Sequence, residues 1–165
     1  MPPRRGRKLK SLKGRVAVVK TAAQWDQVVR KSGKRFLLVH FGAAWCVPCK
    51  KMRPVISDIS KKSEFNQIAF AEVDVDRLQD LATKAGVKTL PTFQMWANGE
   101  PLETVTGGTP MKVIELLQKY SALVRQQKLE AQGGWKGKLV KGLAAGAALA
   151  AAAAAVLLST GVVSL

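Results

Sequence analysis

Phe36-Leu37-Leu38-Val39-His40-Phe41-Gly42-Ala43-Ala44-Trp45-Cys46-Val47-Pro48-Cys49-Lys50 is the stretch whose reading decides the fold. Its first six residues form a nearly continuous apolar run, as expected of a central strand buried on both faces. From Cys46 to about Ser63 the period changes to that of a helix, with Met52, Val55, Ile56 and Ile59 on the inner face and a bend expected at Pro54. A C-x-x-C at a helix start places Cys46 where unpaired backbone N–H groups and the helix dipole stabilise a thiolate. Cys49 lies about one turn inside. The placement therefore separates two roles: Cys46 attacks and Cys49 resolves. Two inert buried thiols, or half of a zinc knuckle, are the alternatives. Both leave the flanking Trp45, the inserted Pro48 and the strand-to-helix position unexplained. Zinc would need about four ligands, and the chain holds one histidine and two cysteines. No metal site is expected.

Outward from this unit the pattern alternates. Val16 to Val19 is a β-branched run, and Thr21 can cap a helix carrying Trp25, Val28 and Val29 on one face. Ile68 to Val73 reads as a third strand, and Arg77 to Ala85 as a short helix ended by Gly86. Pro91 to Trp96 and Pro101 to Val105 flank Asn98-Gly99, a strong hairpin signal, and Met111 to about Leu129 is a last amphipathic helix. The order βαβαβαββα predicts an α/β fold in which helices cover both faces of a mixed sheet.

At 165 residues the chain has room for one such domain and little more, which excludes a large multidomain enzyme. Two cysteines three positions apart cannot staple distant loops, so a disulfide-framework secreted fold is excluded as well. The net charge of +16 sits mostly in the flanks: residues 1–20 carry eight Lys/Arg and no acid, and residues 121–165 carry five against one. Residues 21–120, with fourteen basic and ten acidic side chains, have an ordinary mixed surface. A nucleic-acid partner is therefore not expected. Residues 1–15 read as a basic disordered tail, as an organelle-targeting segment, or as an arm for anionic lipid or RNA. Residues 16–130 form the domain and 131–141 a basic linker.

From Gly142 to Leu165 there are 24 residues without a charge, ten of them alanine. As a helix this segment would be about 36 Å long, enough for the ~30 Å hydrocarbon core. It is expected to be a C-terminal transmembrane anchor with the lipid bilayer as partner, and Trp135 beside Lys136 and Lys138 suits an interfacial position. The bland alternative, a soluble Ala-rich helix or a disordered tail, leaves Val156, Leu157, Leu158, Val162, Val163 and Leu165 unbalanced by any polar face. Lys136, Lys138 and Lys141 lie on the domain side, so the positive-inside bias keeps the domain in a reducing compartment: cytosol, stroma or matrix.

Phe41 to Lys50, Pro54, Glu72-Val73-Asp74-Val75-Asp76 and Gly86-Val87-Lys88-Thr89-Leu90-Pro91-Thr92-Phe93 together resemble the thioredoxin family in order and spacing, over residues from about 16 to 125. The resemblance implies the thioredoxin fold, a redox-active Cys46–Cys49 disulfide with no other cofactor, and Pro91 in cis facing it. It also implies that Leu90 offers its backbone to an extended substrate, which pairs like an added strand. Gly107 falls where the family has a glycine beside the same groove. The expected substrate-binding set is thus Trp45, Val47, Pro48, Leu90, Pro91 and Gly107.

Two positions depart from the family pattern. Val47-Pro48 stands for the commoner Gly-Pro, and His40 stands where the family usually has a buried aspartate that helps take the proton from the resolving thiol. A neutral imidazole can accept a proton near pH 7 without the raised pKa a carboxylate needs, so His40 is a candidate third catalytic residue. Its alternative is a merely hydrogen-bonded core histidine. Glu72, on the neighbouring strand, is the nearest acid that could orient it, unless it is an exposed strand-end carboxylate. The leading functional expectation is a thiol-disulfide oxidoreductase that reduces target-protein disulfides and takes electrons from an unidentified reductase. A thioredoxin-fold accessory subunit that docks within a membrane protein complex is the alternative, and a nucleic-acid-associated redox protein is a third reading that requires salt-dependent binding.

Overall fold

The computed structural model describes residues 14–132. Five strands and four helices alternate as expected: β1 (Val16–Val19), α1 (Ala22–Ser32), β2 (Leu37–Gly42), α2 (Val47–Lys61), β3 (Ala69–Asp74), α3 (Gln79–Lys84), β4 (Thr92–Ala97), β5 (Glu100–Thr106) and α4 (Pro110–Gln132), with a single 3₁₀ turn at Ser63–Phe65. Local chemistry sets several boundaries. Thr21 caps α1 by accepting a hydrogen bond from the Gln24 amide, and Asn98 and Gly99 both take positive φ, at 54° and 86°, as a two-residue hairpin turn requires. The last helix starts one residue earlier and ends three residues later than its apolar period suggests. The compact unit closes at Gln127, and residues 128–132 continue α4 beyond it.

The sheet order is β1-β3-β2-β4-β5. β1, β3 and β2 run parallel, while β4 and β5 are antiparallel. Every residue of the central β2 is buried. Alternation along it feeds two cores. Leu37, Val39 and Phe41 pack with Val28, Trp25, Leu81 and Ala82 on the α1 and α3 side. Leu38 packs with Met52, Ile56, Phe70, Phe93, Val113 and Leu117 under α2 and α4. His40 shares the parity of Leu38, which directs it toward α2.

Among the described residues, no helix is long and apolar enough to cross a membrane. The segment Gly142 to Leu165, the linker 131–141 past Gln132 and the tail up to Lys13 lie outside the described residues.

Candidate active site

The end of β2 passes through Ala43, Ala44 and Trp45 into the first turn of α2, where Cys46 is the N-cap. Its Sγ accepts a hydrogen bond from the Cys49 amide at 3.2 Å. The two cysteines are joined in a disulfide. Cys46 retains 4% exposure and Cys49 none, so an incoming partner can reach only the first sulfur. No acid stands in the first turn of α2, and Lys50 and Lys51 follow directly, so helix dipole and side chains both favour a thiolate at Cys46.

Three other segments meet at this disulfide. Leu90 and Val75 pack against Ala43, Cys46 and Cys49, and the Leu90–Pro91 peptide is cis. The Gly107 amide, at φ 98°, donates to the Pro91 carbonyl at 2.9 Å. A Cβ on Gly108 would lie 3.3 Å from Pro48 Cβ, so the loop after β5 rests on the C-x-x-C itself. The fold therefore gathers Trp45, Val47, Pro48, Leu90, Pro91 and Gly107 around the sulfurs. Trp45 and Val47 are 67% and 59% exposed, an unusual state for large apolar side chains and suited to contact with a partner. The Trp45 indole N–H is held by the Asp76 carboxylate, at 3.1 Å to Oδ2. Among the described residues, no three His, Cys, Asp or Glu side chains converge to hold a metal ion.

His40 lies directly behind. It is 1% exposed, and its ring stacks on Phe93 with centroids 4.7 Å apart. A Cβ on Gly42 would sit 3.1 Å from His40 Nε2 and 3.4 Å from Cys49 Cβ, so the imidazole and Cys49 approach each other across a bare glycine backbone. Nε2 has no hydrogen-bond partner in the protein, whereas buried polar atoms are nearly always paired. Burial, with a smaller contribution from the Arg53 charge, pushes the imidazole pKa down to about 4. His40 is therefore neutral at physiological pH, but its proton affinity is below what its residue type alone indicates.

Glu72 does not orient His40. Its Oε1 accepts from Arg53 Nε at 2.6 Å, and the carboxylate is largely buried in that pair. It is thus neither the orienting acid nor an exposed strand-end carboxylate. Arg53 also donates through Nη2 to the Ala43 carbonyl at 3.4 Å. The sequence pattern assigns no site role to Arg53, nor to Asp76 beyond its place in the family motif. A signal for Arg53 was present: it stands four residues after Cys49, one helical turn along the same face.

The thioredoxin family model matches residues 16–119. This chain belongs to the thioredoxin family. Thioredoxin of Malassezia sympodialis is 34% identical over 107 residues, which cover 65% of this chain and 100% of that protein. The crystal structure of M. sympodialis thioredoxin superposes with a TM-score of 0.60 at 32% identity, covering 71% of this chain and 99% of the other. A chain from the complex of ferredoxin:thioredoxin reductase and thioredoxin f2 shares the fold, with a TM-score of 0.60 at 22% identity over 66% of this chain and 96% of its own. Family and disulfide together make the chain a thiol-disulfide oxidoreductase, with the expected mixed sheet and helices on both of its faces.

Proposed function

We propose that this thioredoxin-family chain reduces disulfides of target proteins, takes its electrons from a reductase, and works from a C-terminal membrane anchor on the reducing side. The observation that carries the redox part is the placement of a barely accessible Cys46 sulfur inside a rim of exposed apolar side chains and the Leu90–Pro91 backbone. In the reduced chain the Cys46 thiolate attacks one target sulfur. A Cys46–target disulfide forms, and the other target sulfur leaves as a thiolate that takes a proton. Cys49 then loses its proton and attacks Cys46 Sγ. This closes the Cys46–Cys49 disulfide and releases the second target sulfur. Two electrons and two protons have passed to the target, and a reductase must return them. The fold neighbour named for its complex with ferredoxin:thioredoxin reductase supports this kind of donor.

His40 Nε2 is the acceptor for the Cys49 proton. The bare approach over Gly42 and the lack of another partner support this role. Transfer is uphill for an imidazole of low proton affinity, and the thiolate formed beside it offsets part of that cost. His40→Ala should slow resolution of the mixed disulfide by about 10²-fold, within the usual range for general-base loss, while leaving its formation nearly unchanged. His40→Asp should restore much of the rate. If the alanine variant only melts at a lower temperature and both steps keep their rates, His40 is a packing residue.

The anchor reading rests on the uncharged segment from Gly142 to Leu165 with Lys136, Lys138 and Lys141 before it. Expressed in cells, the full chain should resist alkaline carbonate extraction, and a chain ending at Lys141 should be released by it. Release of the full chain would exclude the anchor. Protection of the domain from protease within an oxidising lumen would reverse the orientation.

A further inference from the structure

Between the β1 edge of the sheet and α2 lies a pocket of about 390 Å³ lined by His40, Glu72, Arg53, Ser57, Ile56 and Val18 among others. His40 and Glu72 occupy the same register position on neighbouring parallel strands, so both side chains stand on the α2 side of the sheet. Arg53 reaches down from α2, joins Glu72 and touches the Ala43 carbonyl of the active-site loop. The charged groups facing His40 are thus Arg53 from α2 and Glu72 from β3. Arg15 and Lys61 line the same pocket, and Lys61 is paired with Asp58. The β4 neighbour, Phe93, is apolar.

We propose that Arg53 and Glu72 are positioning residues for the resolving step, which set the proton affinity of His40 with opposite signs. This rests on the reading of His40 as the proton acceptor. The guanidinium opposes an imidazolium beside it, and the carboxylate offsets the guanidinium. At the imidazole the Arg53 charge prevails, and its pairing with Glu72 limits that effect. Removing either one exposes the other, and the two removals push His40 in opposite directions. A pair that only braced α2 against the sheet would give two losses of the same kind.

The test uses the untagged full-length chain, whose single histidine gives one imidazole signal in a proton NMR titration. It is combined with stopped-flow mixing of the reduced chain with an aromatic disulfide, which releases one coloured thiolate on attack and a second on resolution. Arg53→Met leaves Glu72 facing His40. The imidazole midpoint should rise by about one pH unit or more, the size of shift a neighbouring charge produces. Below its midpoint His40 carries a proton and cannot accept another, so the acid limb of the resolution rate should move up with it. Above the limb the stronger base should resolve severalfold faster. Glu72→Gln leaves Arg53 unopposed, so midpoint and limb should move down and the plateau should fall. Arg53→Lys keeps the charge and loses the fork to Ala43, and should keep the native limb. Parallel slowing in Arg53→Met and Glu72→Gln with an unmoved imidazole midpoint overturns the proposal. Opposite movements of the midpoint with no change in the resolution limb uphold the pair's control of His40 and overturn His40 as the acceptor.

Discussion

Cys49→Ser should stop the reaction half-way, with the chain held covalently to its target through Cys46. The first step needs only the Cys46 thiolate, which keeps its helix N-terminus and remains the more exposed of the two cysteines. The second step has no other thiol to use, because Cys46 and Cys49 are the only cysteines in the chain. Turnover with a reductase or dithiol present should therefore fall by at least about 10³-fold, the scale of losing a nucleophile outright. On a non-reducing gel a mixed disulfide should accumulate and disappear on adding reductant. Cys46→Ser should show neither turnover nor adduct. In the reduced native chain, alkylation at neutral pH should hit Cys46 first. Equal alkylation of the two cysteines, or adducts retained in Cys46→Ser, would reverse the assignment. Trapping also bears on the docking-subunit alternative, since a module that only docks forms no target adduct through Cys46.

The order of the elements is legible in the sequence because its determinants are local. The strand-to-helix junction, the helix-capping position of Cys46 and the hairpin at Asn98-Gly99 each depend on a few consecutive residues whose chemistry admits few conformations. Buried β2 announced itself by an uninterrupted apolar run. The surroundings of His40 were not legible in the same way. Arg53 and Glu72 are 19 positions apart, and Trp45 and Asp76 are 31 apart. Each pair meets only because β3 lies between β1 and β2, and the residue types do not say which of several acids faces which base. Glu72 was the nearest acid by strand order, yet the arginine from the helix claims it. The low proton affinity of His40 likewise depends on burial and on a cation from another element.

Phe93→Ala should be among the most destabilising single substitutions in the domain. The ring is fully buried on β4, in the core cluster with Leu38, Met52 and Phe70, and its register partner across the sheet is His40. Truncation removes the transfer free energy of the ring and leaves a cavity in a sheet that cannot collapse around it, a loss of about 3–5 kcal/mol. Against a typical total of about 5–15 kcal/mol, this moves the denaturation midpoint far while the slope of the transition stays the same. Phe93→Leu keeps most of the volume and should cost about 1–1.5 kcal/mol. The leucine variant is the more informative for chemistry, because it stays folded yet takes away the flat face on which the imidazole stacks at 14°. Attack by Cys46, which is governed by the N-terminus of α2, should keep its rate, while resolution through His40 slows. A cost below about 1 kcal/mol for Phe93→Ala would mean that the core under α2 relaxes freely, and the fixed approach of His40 to Cys49 would then lose its structural basis.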